Sequence, residues 1–214
     1  MRLVLPRLYV ILDAALLTIP ETECAQRLAD AGVRLLQYRH KFATPRELLG
    51  SASRLSGLLV ARGVTFIVND RADVAFLAGA SGVHVGQEDL EAETARSVIG
   101  PGKLVGVSTH NREQFQRATA TSVDYIAVGP IFSTSTKANP DPVVGTEFVR
   151  QIRPLTDKPI VAIGGITLER AAEVIRAGAD SVAVVSDVLR APDPGARARQ
   201  YLDLLDAANH AAGA

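Results

Sequence analysis

The chain has 214 residues, 47% apolar and 21% charged, with 23 Lys and Arg against 23 Asp and Glu. That balance belongs to folded globular proteins and excludes disordered and fibrous classes; it supplies no overall basic field for nucleic acid. The length suits one domain over residues 1–214, because α/β barrels extend beyond the usual domain size as single units.

The N-terminal apolar run around Leu3–Leu12 is interrupted by Pro6 and Arg7 and has no small-residue cleavage site, so a secretory signal is not expected. No stretch offers the ~18 apolar residues of a membrane helix, and a cytoplasmic protein with no membrane partner is expected. From Leu8 onward, short Val-, Ile- and Leu-rich runs alternate with amphipathic stretches. A strand at Leu8–Leu12 leads to a helix at Thr22–Ala31, where the single cysteine, Cys24, reads as a small buried apolar group. Next come strand Leu35–Tyr38 and helix Pro45–Arg62, strand Phe66–Val68 and helix Arg71–Ala78, then strand Val83–Val85 and helix Glu93–Ile99. The second half continues with strand Leu104–Val107 and helix Arg112–Thr119, strand Tyr125–Val128 and helix Glu147–Arg153, and strand Ile160–Ile163 and helix Leu168–Arg176. Strand Val182–Val185 and helix Ala196–Ala208 complete it, and residues 209–214 are expected to fray.

Eight apolar runs without polar alternation are the pattern of parallel strands buried on both faces, and eight intervening helices predict a (β/α)8 TIM barrel. No GxGxxG follows the first strand, which argues against a doubly wound sheet. Gly32, Gly63, Gly79, Gly100 and Gly178 each close a helix before the next strand. The polar clusters therefore fall at the C-terminal strand ends, where barrel enzymes build their sites.

Along Gln37-Tyr38-Arg39-His40-Lys41, alternation directs Gln37, Arg39 and Lys41 to one side, and two cations with an amide suit a polyphosphate. His40 alternates away. Asp70, after Asn69, and Asp89 follow neighbouring strands, as carboxylates that bridge Mg2+ to a pyrophosphate would, although both also precede helices and fit capping. The 16-residue connection Pro130–Gly145 carries Thr134, Ser135, Thr136 and Lys137 and reads as an active-site lid. Gly164-Gly165 and Val185-Ser186 follow the last two strands in the pattern by which barrels hold a phosphate on backbone N–H groups. His84, inside a strand, reads as a barrel-interior residue. His110, after Ser108-Thr109, is the better proton-transfer candidate.

Seven segments in order, Gln37–Lys41, Val68–Ala75, Gly82–Leu90, Gly106–His110, Gly129–Lys137, Ile163–Ile166 and Val184–Ser186, resemble the thiamine-phosphate synthase family over nearly the whole chain. The resemblance implies a Mg2+-dependent transferase that condenses 4-amino-2-methyl-5-(diphosphomethyl)pyrimidine with 4-methyl-5-(2-phosphoethyl)thiazole, or its carboxylate form, to thiamine phosphate and pyrophosphate. It implies that Gln37, Arg39, Lys41, Asn69, Ser108 and Lys137 hold the pyrimidine pyrophosphate, with Tyr38 and His40 in the same segment. It further assigns Asp70 and Asp89 to Mg2+, and Thr134, Ser135, Thr136, Gly165, Val185 and Ser186 to the thiazole phosphate. Arg39, Lys41, Lys137 and Ser108 would carry the catalysis. The partners implied are these small molecules, and a homodimer is compatible with the family. Two departures stand out, His40 and Thr146 in Val144-Gly145-Thr146. The alternatives are a thiazole tautomerase on the same barrel, or a non-catalytic phosphate-binding barrel using only the Gly165 and Ser186 end.

Overall fold

All six residues of β1 (Leu8–Asp13) are buried, which requires cover on both faces of the strand. The computed structural model, which describes residues 3–134, 136 and 141–212 with side chains through residue 207, supplies that cover. β1 pairs in parallel with β2 (Leu35–Arg39), followed around by β3 (Thr65–Asn69), β4 (Gly82–Val85), β5 (Leu104–Thr109), β6 (Tyr125–Val128), β7 (Ile160–Ile163) and β8 (Ser181–Val184). β8 returns to β1 and closes the barrel. Seven helices connect the strands: α1 (Glu21–Asp30), α2 (Pro45–Val60), α3 (Ala72–Leu77), α4 (Ala92–Ile99), α5 (Arg112–Thr119), α6 (Gly145–Ile152) and α7 (Leu168–Arg176). After β8 come a four-residue helix, α8 (Ser186–Leu189), and the long α9 (Pro194–Ala212). The expected TIM barrel is the observed one.

Local chemistry explains the element ends. α2 begins with a capping box: Thr44 Oγ1 accepts from Glu47 N–H at 3.3 Å, Glu47 accepts from Thr44 N–H at 2.8 Å, and Pro45 takes the first turn. Its buried Leu48, Ala52, Leu55 and Leu59 repeat at helical spacing and face the sheet. Cys24 is fully buried in α1, where burial pushes the thiol up to about 11, in keeping with a packing role.

The boundaries differ from expectation at the C-terminal end. Val185 leaves the strand, at φ −119° and ψ −87°, and begins α8. The periodicity gave no sign of α8, because four residues are little more than one turn. Ala191 and Asp193 each precede a proline, a position that disfavours helix and separates α8 from α9. α9 runs to Ala212, into the segment expected to fray. Among the described residues, no helix is long and apolar enough to cross a membrane.

Alternation along each strand divides the core in two. Leu8, Val10, Leu12, Leu36, Tyr38, Ile126 and Val128 face the helices. Tyr9, Ile11, Leu35, Ile67, Tyr125, Ala127, Val161 and Ala183 fill the barrel. The interior is tight where β5 passes β6, because a Cβ on Gly106 would lie 2.0 Å from the Tyr125 ring. Gly106→Ala is therefore expected to cost about 1–3 kcal/mol by overpacking. Gly57, exposed within α2 with nothing within 4 Å of its Cβ position, is the opposite case. Gly57→Ala should gain about 0.5–1 kcal/mol of helix propensity, and urea unfolding of the two variants measures both.

Candidate active site

The C-terminal ends of the strands surround a cavity of about 770 Å³. Inward alternation on β2 brings Gln37 and Arg39 to it, and Lys41 follows just beyond the strand. Arg39 forms an ion pair with Asp13, the last residue of β1 and only 2% exposed, so the guanidinium is anchored from below. Lys41 reaches across to Asp70.

Asp70 is the only non-glycine residue with positive φ among the described residues, at 64°. A left-handed backbone is uncommon outside glycine, and such conformations concentrate at functional sites. Asp70 does not cap α3, whose N-cap is Arg71. Nor does Asp89 cap α4, which begins after Glu91; its carboxylate accepts from Gly86 N–H at 2.8 Å. Both carboxylates line the cavity. Burial, then contact with Asp70, raises the Asp89 carboxyl above the ordinary range, with Lys41 and the Gly86 amide opposing. Two carboxylates in contact, one of them paired with Lys41, make a place where a cation is welcome. Among the described residues no cluster of three or more His, Cys, Asp or Glu forms a closed metal cage. A pair fits an ion that keeps its waters and takes one or two protein carboxylates.

On the opposite side of the mouth, Thr134, Thr136, Gly164, Gly165, Val185 and Ser186 line the same cavity. The base of the 130–145 connection is held to β7: Ile131 N–H donates to Ile163 O at 2.8 Å and Phe132 N–H to Gly164 O at 3.0 Å. Gly164 and Gly165 permit this approach, with φ of 99° and 62° and Cβ positions only 2.5 Å from Pro130 and 2.3 Å from Ser133 O. Ser135 and Lys137 lie outside the described residues.

The interior below carries polar groups in a chain. Gln37 Nε2 donates to Tyr9 OH at 2.8 Å, the Tyr9 and Tyr125 hydroxyls are 3.0 Å apart, and Tyr125 OH is 3.1 Å from His84 Nδ1. His84 Nε2 is 2.8 Å from Ser108 Oγ. His84 is thus the satisfied interior histidine expected, and burial lowers it to about 4, with the distant charge of Asp89 opposing. His110 lines the cavity, and its Nδ1 donates to Gly129 O at 2.7 Å, since a carbonyl only accepts.

Asn69 and Ser108 also line the cavity, so the structure brings Gln37, Arg39, Lys41, Asn69, Asp70, Asp89, Ser108, Thr134, Thr136, Gly165, Val185 and Ser186 to one cavity. Tyr38 and His40 do not. Tyr38 points outward between the helices and donates to Glu21, and His40 Nδ1 sits 3.1 Å from the Tyr38 hydroxyl. The strand that turns Gln37 and Arg39 inward turns Tyr38 out. Missed were Asp13, Tyr9 and Tyr125, whose inward parity was readable from their strands. Also missed was Arg170, which donates to Gly165 O at 3.3 Å and stacks 4.7 Å over Phe132.

A family model described as thiamine monophosphate synthase matches residues 8–188. The chain belongs to that family. The thiamine-phosphate synthase of Koribacter versatilis is 53% identical, covering 94% of this chain and 96% of the relative, and that of Chloroflexus aurantiacus is 45% identical, covering 93% and 92%. A solved thiamine phosphate pyrophosphorylase from Pyrococcus furiosus superposes with a TM-score of 0.85 at 33% identity, covering 94% of this chain and 96% of that one. The family's matched span begins at Leu8 and ends within α8 at Val188, so it includes every strand that opens onto the cavity.

A buried neutral histidine has a predictable cost in acid. The unfolded chain takes up the His84 proton near the ordinary pKa of 6.5 and the folded one only near 4, so stability is lost as pH falls through that window. The loss from this residue is expected to reach roughly 3 kcal/mol. Urea unfolding at stepped pH should show a drop that His84→Asn flattens.

Proposed function

We propose that this chain is a thiamine-phosphate synthase that condenses the pyrimidine methyl pyrophosphate with the thiazole phosphate, releasing pyrophosphate. The observation that carries the reading is one cavity with two differently built ends: Arg39 and Lys41 beside the Asp70 and Asp89 carboxylates, and backbone amides around Gly165 and Ser186 opposite. The first end suits a polyanionic leaving group and the second a phosphate monoester.

In this reading the C–O bond between the pyrimidine methylene and pyrophosphate breaks, its electron pair leaving with the pyrophosphate, and the thiazole nitrogen lone pair forms the new C–N bond. No enzyme nucleophile is required. Arg39, with Lys41 and Lys137, neutralises charge that grows on the leaving group, and groups fixed in advance do so without reorganisation cost. Asp13 keeps Arg39 from wandering. Gln37, Asn69 and Ser108 orient the pyrimidine pyrophosphate, while Thr134, Ser135, Thr136, Gly165, Val185 and Ser186 hold the thiazole phosphate, so that the two reacting atoms face each other. Asp70 and Asp89 would hold Mg2+, which when bound supplies further charge neutralisation for the pyrophosphate. A cytoplasmic location and small-molecule partners form part of the same proposal.

The test is an assay of purified protein with both substrates and Mg2+, following pyrophosphate and thiamine phosphate together, with an EDTA control. Equimolar, metal-dependent products are expected. Folded protein that makes neither product yet binds the thiazole carboxylate phosphate would instead point to a tautomerase. Arg39→Ala and Lys137→Ala should lower kcat/KM by about 100-fold or more, with KM for the thiazole phosphate changed by no more than about twofold. Equal losses at both substrates would remove the division into two ends.

A further inference from the structure

Ser108 and His84, 2.8 Å apart at the cavity wall, have the spacing of a serine activated by a histidine base. The rest of the hydrogen-bond chain assigns the opposite polarity. Gln37 Nε2 is an amide nitrogen and can only donate, so the Tyr9 oxygen accepts. Tyr9 is buried, and its own proton then has one remaining partner among the described residues, the Tyr125 oxygen at 3.0 Å. Tyr125 in turn directs its proton to His84 Nδ1 at 3.1 Å. A neutral imidazole that accepts at Nδ1 carries its proton on Nε2, and there it donates to Ser108 Oγ. Run in reverse, the chain would leave the Tyr9 hydroxyl proton without an acceptor in the barrel interior, where polar groups are satisfied.

We infer that Gln37 fixes the direction of a five-residue hydrogen-bond chain that locks His84 as the Nε2–H tautomer and turns the Ser108 proton outward, as a donor to an anionic oxygen in the cavity. His84 is thus a positioning residue, unable to draw the proton from Ser108, and Ser108 is no nucleophile. Among the described residues none takes the Ser108 proton, and Ser108 lines the cavity. The anion it would meet is the leaving pyrophosphate, a point that rests on the function proposed above. The chain also explains why three aromatic or imidazole side chains occupy the interior beneath the cavity. Tyr9 and Tyr125 meet edge to face at 6.1 Å, and His84 stacks on Tyr125 at 5.6 Å. Their rings fill the barrel while their polar atoms carry the polarity from β1 and β2 to β5.

The experiment is 15N NMR of histidine-labelled protein without substrates, in which protonated and unprotonated ring nitrogens are told apart directly. The chain has four histidines, and the His84 signals are assigned by their loss in His84→Asn. Wild-type protein should show His84 protonated at Nε2. A dominant Nδ1–H form overturns the inference without any variant having to fold. Tyr9→Phe keeps the ring and cuts the chain, so His84 should shift to a mixture of tautomers, and kcat should fall about tenfold or more through a misdirected donor, with KM little changed. An unchanged tautomer in Tyr9→Phe likewise overturns it. Should the wild-type protein make no thiamine phosphate, the proposed function fails, while the tautomer measurement still decides the polarity.

Discussion

A closed barrel of eight short parallel strands has a small interior, and a strict rule governs who enters it: every second residue, and no other. Each strand here has only four to six residues, so two or three side chains from each reach the inside, and closure makes them share one space. The arrangement of the site follows from that scarcity. Polar groups placed inside must satisfy one another, because water has little access, which ties Gln37, Tyr9, Tyr125, His84 and Ser108 into one line. The charges collect at the last strand positions, Asp13 and Arg39, and just past the strand ends, Lys41, Asp70 and Asp89.

The charged mouth is built as pairs rather than as a bare cationic patch. Asp13 holds Arg39 and Asp70 holds Lys41, so each cation is oriented before an anion arrives. Such pairing lowers the attraction that each cation could exert alone, in return for a fixed direction. Asp70 shows the same trade in its backbone, held in a left-handed conformation that is uncommon outside glycine. The Asp89 carboxyl, raised by burial and by its like-charged neighbour, is under tension that an incoming cation would relieve.

Much of this was legible in the sequence. The eight apolar runs fixed the number and order of strands because buried parallel strands carry no polar alternation, and the polar clusters after them gave most of the cavity wall. What failed did so for definable reasons. Tyr38 and His40 were carried in by their neighbours in a matching segment, although the same parity that selected Gln37 and Arg39 excluded Tyr38. Asp13, Tyr9 and Tyr125 went unnoticed because two tyrosines in apolar runs read as core, and a lone aspartate at a strand end reads as a turn. α8 was invisible, being too short to show a period. Arg170 sits in α7 rather than at a strand end, and no pattern along the chain brings it to Gly165; only the fold does.

The glycine pair after β7 has a wider consequence. Gly164 and Gly165 match the pattern by which barrels hold a phosphate on backbone N–H groups, yet their missing side chains first admit the neighbouring connection, with Pro130 and Ser133 occupying the positions that a Cβ would take. The segment that forms one wall of the phosphate end is therefore packed against the root of the segment that brings Thr134 and Thr136 to the cavity. Two walls of the phosphate end share a mechanical joint made largely of main chain. Sequence drift at either glycine would shift both walls together, so in this fold the shape of the phosphate end is inherited as a unit and cannot be tuned one wall at a time.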